Sequence, residues 1–128
     1  MFSQAVIESL AYYVYLLKDP LDGEVFYVGK GCGNRIFEHI EAALTTEVPN
    51  DKLDRIRSIK GRGDEVVQYI LRHGLDEATA FEIEAALIDF IGLDQLCNLQ
   101  SGHHSEDHGI KTVGEIVAMY EADGLIVN

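Results

Sequence analysis

Four side chains near the start of the chain could do chemistry together: Tyr15, Tyr27, Arg35 and His39. Arg35 and His39 are four residues apart, so on a helix they share one face. If the segments carrying the two tyrosines pair as an antiparallel hairpin, with Lys18 facing Glu24, then Leu17 lies opposite Val25 and Tyr15 directly opposite Tyr27. Gly29 then faces Tyr13 and opens space beside the phenols. Two phenols, a guanidinium and an imidazole at one hairpin end exceed what building a fold requires. A fifth residue, Glu84, lies far along the chain, and its neighbours three and four residues away are Ala80, Phe81, Leu87 and Ile88. A carboxylate on so apolar a stripe is costly unless a metal, a cationic partner or water reaches it. Glu82 has the smaller neighbours Ala78, Thr79, Ala85 and Ala86 and a more open setting.

The elements that must position these groups follow from pattern. Residues 12–17 and 25–28 are continuous apolar or aromatic runs, long enough for strands and short for helices. Asp19-Pro20-Leu21-Asp22-Gly23 between them has turn composition. Gly29-Lys30-Gly31-Cys32-Gly33-Asn34 lacks the full spacing of nucleotide-binding glycine loops; its glycines let backbone approach a phosphate or simply turn sharply. A helix follows to about Thr46, burying Ile36, Ile40, Ala43 and Leu44. Asn50 or Asp51 caps a second helix over 52–60, with Leu53, Ile56 and Ile59 inward. Residues 65–71 read as a third strand closed by His73-Gly74, and Asp76 caps a long helix ending before Gly92. Residues 96–99 form a short strand or tight segment up to Gln100-Ser101-Gly102, in which Asn98 either ties a loop or serves a site. His103, His104 and His108 lie in a glycine-flanked stretch; the i,i+4 spacing of the last two, with Cys97, is a weak zinc pattern lacking a fixed third ligand. Thr112-Val113-Gly114-Glu115 is a capping box opening a final helix, before the apolar end Leu125-Ile126-Val127. Residues 4–10 fit a helical turn or a leading arm equally. The order gives an α/β fold: a small central mixed or antiparallel sheet of about three strands flanked by helices.

The length suits one domain, residues 1–128, with a core at about 12–100 and a C-terminal loop and helix at 101–128. Cys32 and Cys97 match no disulfide framework, which favours a reducing compartment. The first residues lack a basic signal-peptide region, and no apolar run approaches a membrane span; a cytoplasmic protein is expected. A net charge of −12 opposes nucleic-acid binding, which rests on cations at phosphates. Its distribution softens the objection, because Lys52, Arg55, Arg57, Lys60 and Arg62 cluster while Lys30 and Arg35 sit in the glycine-rich region. That cluster is either a solvated helix face or a phosphate-tracking one.

Tyr13-Val14-Tyr15, eleven residues, then Tyr27-Val28-Gly29 resembles the paired motif of the GIY-YIG endonucleases. GKGCGNRIFEH resembles that family's arginine helix, with Arg35 at the catalytic arginine; Phe81–Ile88 resembles the segment bearing its metal-binding glutamate, and Asn98 a late asparagine. The shortened glycine-rich link is most similar to the branch of ankyrin-and-LEM-domain nucleases and small bacterial relatives. One departure is Tyr13 in place of the opening glycine. The resemblance implies a metal-dependent endonuclease acting on phosphodiester bonds in DNA. Glu84 would hold one Mg²⁺ or Mn²⁺, Arg35 would bind non-bridging oxygens, and Tyr15 would help deprotonate water. Tyr27 and His39 would orient or share the proton transfer. Gly29, Lys30, Asn98, Arg55 and Arg57 are the expected substrate contacts. Plain duplex, branched or flap DNA, and RNA stay open as substrates. The competing readings are a non-catalytic module binding nucleic acid or protein on the same fold, and an acidic inhibitor that mimics DNA.

Overall fold

The computed structural model describes residues 1–99, 102 and 108–122. The elements are α1 (Gln4–Leu10), β1 (Tyr12–Lys18), β2 (Val25–Gly31), α2 (Arg35–Thr45), α3 (Asp51–Gly61), β3 (Val67–Leu75), α4 (Glu77–Ile91) and α5 (Val113–Ala122). The sheet is three-stranded and antiparallel, in the order β2-β1-β3. The expected small α/β architecture is borne out, with both strand pairings antiparallel.

Alternation along β1 builds two cores. Tyr13, Tyr15 and Leu17 point to one face and pack with Ile36 and Ala43 of α2 and Leu53, Ile56 and Ile59 of α3. Val14 points to the other, where Val28 meets Ala80 and Ile88 of α4 and Leu96. Because both faces of β1 are covered, its sequence is a continuous apolar run rather than a polar–apolar alternation.

The hairpin register differs from the expected one. Lys18 pairs with Val25 and Leu17 with Tyr27, so Phe26 is an extra residue bulged out of the ladder. Lys18 already pairs one residue beyond Glu24, and the bulge, which turns Phe26 toward the α2–α3 face, adds a second position, so every later pair lies two positions along. Tyr15 therefore faces Gly29, and Tyr13 faces Gly31. A shift of two preserves side-chain parity, so Tyr15 and Tyr27 still share a face as diagonal rather than direct neighbours. β3 also runs beyond its expected end: it continues through His73 and Gly74 to Leu75, pairing Tyr12 with Leu75. Gly74 sits at φ +73°, which lets the strand absorb an irregularity opposite Tyr13 instead of turning away.

The helix caps follow the sequence. The Asn50 side chain accepts from Leu53 N–H, that of Asp76 from Thr79 N–H, and Thr112 and Glu115 form a reciprocal capping box. Residues 4–10 form a helix capped by Ser3, and it packs against β3. His103, His104 and the Leu125–Val127 end lie outside the described residues. Among the described residues no helix is long and apolar enough to cross a membrane, and no cluster of three metal-ligating side chains occurs.

Candidate active site

Tyr15 stands on the central strand with its ring over Gly29. A Cβ at Gly29 would lie 2.4 Å from the ring's Cζ and from Oη, so a glycine is the residue that admits the phenol here. The Tyr15 hydroxyl lies 2.5 Å from His39 Nε2 on α2, and both residues are buried. Burial pushes the Tyr15 phenol upward, with the neighbouring Tyr27 adding to it and the Arg35 charge opposing it. His39 is pushed down to about 3 by burial, Lys52 and Arg35. The phenol is thus held protonated and the imidazole neutral, so Tyr15 donates and Nε2 accepts. Tyr27 completes the cluster with its ring centroid 5.0 Å from that of His39 and 6.3 Å from that of Tyr15. Burial raises its pKa too, again opposed by Arg35.

Arg35 opens α2 beside this cluster. Its side chain is exposed and ion-paired with Glu38. Its stem passes over Gly31, where a Cβ would lie 2.5 Å from Arg35 Cγ. The residue that aims the helix is Tyr13, whose role sequence reasoning missed. Its hydroxyl donates to Gly33 O at 2.8 Å and accepts from Ile36 N–H at 3.1 Å. Asn34 stands at the N-cap without capping; its carboxamide oxygen accepts instead from Phe2 N–H. A phenol from β1 therefore caps α2 and sets the direction in which Arg35 and His39 leave the sheet.

Glu84 approaches from the opposite layer. It projects from α4, half-buried as its apolar neighbours imply, whereas Glu82 is exposed. Burial raises its pKa against the lowering effect of the Lys30 ammonium and backbone N–H. The ammonium itself sits over the Phe81 ring at 3.9 Å. β2 is an edge strand contacted by both α2 and α4, and Glu84 acts electrostatically on both Tyr15 and Tyr27. A cavity of about 320 Å³ opens at this edge, lined by Tyr27, Asn50, Lys52, Glu84, Cys97 and Asn98 among others. Glu84 is the carboxylate in that lining.

Asn98 ties the edge itself. It accepts from Val28 N–H at 3.1 Å and donates to Val28 O at 2.8 Å, while Cys97 N–H donates to Phe26 O at 2.6 Å. Residues 95–98 thus close the open side of β2 in place of a fourth strand. Arg55 and Arg57, read as substrate contacts, are engaged elsewhere. Arg55 bonds Asp19 and Asp22, and Arg57 bonds the carbonyls of Ala43, Thr46 and Val48 at the α2–α3 corner. Neither lines the cavity. Their partners lie up to 36 residues away in sequence, which is why helix-face patterning did not find them.

The antiparallel sheet, with paired tyrosines, an arginine helix on one face and a glutamate helix on the other, is a small GIY-YIG-like fold. The chain belongs to the LEM-3-like GIY-YIG domain family, whose model matches residues 12–114. Among curated proteins it is similar to the Ankyrin repeat and LEM domain-containing protein 1 homolog of Caenorhabditis elegans, with 31% identity over 94 residues. That match covers 66% of this chain and 13% of the relative, so the chain spans about an eighth of the relative's length. No solved structure matches.

Proposed function

We propose that this domain is a divalent-metal-dependent endonuclease that hydrolyses phosphodiester bonds in DNA. The observation that carries the reading is the buried Tyr15–His39 hydrogen bond beside Tyr27, within electrostatic reach of both Arg35 and Glu84. A phenol held protonated accepts a proton from water only if it passes its own onward. His39 Nε2, at 2.5 Å, is the acceptor in place: as the water O–H breaks, Tyr15 Oη takes that proton and gives its own to the imidazole. The burial that suppresses imidazolium in the resting site makes this transfer uphill, and a phosphate anion beside Arg35 favours it. Arg35, exposed and paired at the surface with Glu38, exchanges that carboxylate for the non-bridging oxygens.

Glu84 suits Mg²⁺ or Mn²⁺. It offers one half-buried carboxylate facing an open polar cavity, and no cluster of three ligands occurs among the described residues, so the ion would keep several waters. When bound, the cation supplies Lewis-acid charge to the leaving oxygen.

The test is incubation of the purified chain with plasmid, linear and branched DNA, with Mn²⁺ or with chelator. Cleavage is expected only with the divalent ion, leaving 5′-phosphate and 3′-hydroxyl ends. Glu84→Gln is expected to lower the rate at least ~10²-fold while remaining folded, the scale of a lost electrostatic stabiliser. Binding without cleavage under every divalent ion would replace this reading with that of a non-catalytic binding module.

A further inference from the structure

Lys52 is the exception among the cations of its segment. Arg55, Arg57, Lys60 and Arg62 are each ion-paired with a carboxylate. Lys52, in the first turn of α3, forms no such pair among the described residues, although it is half-buried. Its ammonium sits 4.4 Å from the Tyr27 ring centroid and lines the cavity shared with Glu84 and Asn98. An ammonium over a ring face recovers part of its lost hydration through the ring's quadrupole. Burial and the Arg35 charge both work against its protonated form. Arg35 itself does not line this cavity. A half-buried cation near another cation, with an aromatic partner and no carboxylate at ion-pair distance among the described residues, is short of an anion. The opening is large enough to admit one.

We infer that Lys52 forms a phosphate subsite distinct from Arg35: its ammonium takes a backbone phosphate of nucleic acid entering the Tyr27–Glu84 cavity. This rests on the nucleic-acid reading above. An arriving phosphate supplies the counter-charge that the protein withholds, and it seats the strand against Tyr27. The subsite is sequence-neutral, because phosphate contacts position a strand without reading its bases.

The experiment separates this role from catalysis by measuring binding of a short fluorescent DNA duplex in chelator, where no metal-dependent cleavage occurs. Lys52→Met keeps the apolar stem over Tyr27 and removes the charge; Lys52→Arg keeps the charge. Lys18→Met makes the same change of net charge at a lysine that sits over Tyr69 on β3. Lys52→Met is expected to bind about tenfold more weakly and to flatten the dependence of log affinity on log salt by roughly one phosphate, ~0.9. Lys52→Arg is expected to retain most binding, and Lys18→Met nearly all of it. Thermal unfolding of Lys52→Met should match or exceed that of the parent, since repulsion from Arg35 is relieved. Equal losses in Lys52→Met and Lys18→Met would overturn the subsite, as would an unchanged salt slope or no binding by the parent chain. Lys52-dependent binding without Mn²⁺-dependent cleavage would keep the subsite and sink the nuclease reading. Cleavage with Lys52-independent binding would do the reverse.

Discussion

His39 is buried, neutral and hydrogen-bonded to a phenol, which couples the site to stability as well as to chemistry. Its folded pKa of about 3 lies below the ordinary 6.5. Between those values the unfolded chain binds a proton that the native state refuses, so unfolding becomes easier as pH falls through that window. Each pH unit inside it costs about 1.4 kcal/mol from this group. His39→Gln keeps an acceptor for Tyr15 and removes the titration. Denaturant unfolding of both proteins at several pH values should show the stability difference moving in favour of the glutamine variant below ~6.5. Parallel curves would mean that His39 is not held neutral. The residues of this cluster were legible because their types and spacing are unusual for a core. The Tyr15–His39 bond itself was not, since spacing cannot report which phenol lies under α2.

At the scale of elements, capping was readable and register was not. Asn50, Asp76 and the Thr112–Glu115 box act within a few residues of themselves, so local chemistry decides them. The β1–β2 register depends on a bulge at Phe26, and that bulge depends on what packs beneath it: Arg55 sits over the Phe26 ring while bonding Asp19, a buried carboxylate also held by Arg62. Arg62 and Arg55 keep the Asp19 carboxyl at about 2, below the ordinary range. No short window of sequence contains that arrangement. The same limit hid Tyr13. From the motif it is a departure from glycine; in the fold its hydroxyl replaces an N-cap side chain and ties β1 to α2. Tyr13→Phe keeps the buried ring and strands Gly33 O and Ile36 N–H, for an expected loss of ~1–3 kcal/mol. It should lower cleavage by more than unfolding explains, because Arg35 and His39 ride on the helix that it caps. Activity measured well below the unfolding midpoint, beside denaturant titration, checks this. Unaltered activity in a destabilised variant would reduce Tyr13 to a packing residue.

The whole molecule carries twenty-two acidic residues against ten basic ones, and this constrains how it meets a polyanion. Among the described residues, Arg35, Arg55, Arg57, Lys60 and Arg62 are ion-paired within the protein. In the Lys52–Arg62 cluster, left open as a solvated or a phosphate-tracking face, ion pairs engage Arg55, Arg57, Lys60 and Arg62. Three cations remain close to the site: Lys30 beside Glu84, Lys52 in the cavity, and Arg35 once it exchanges Glu38. Three phosphate contacts give a log–log salt slope of about −3 at most, at ~0.9 for each. The acidic body makes the slope shallower still. Added salt screens its long-range repulsion from DNA while weakening the contacts, and the two effects oppose each other. The expected slope for duplex DNA in chelator is therefore between about −1 and −3, with weak affinity at every salt concentration. A titration across a range of salt concentrations measures it directly. A slope steeper than about −5 would require phosphate contacts well beyond these three cations and would move the interface away from the β2 edge.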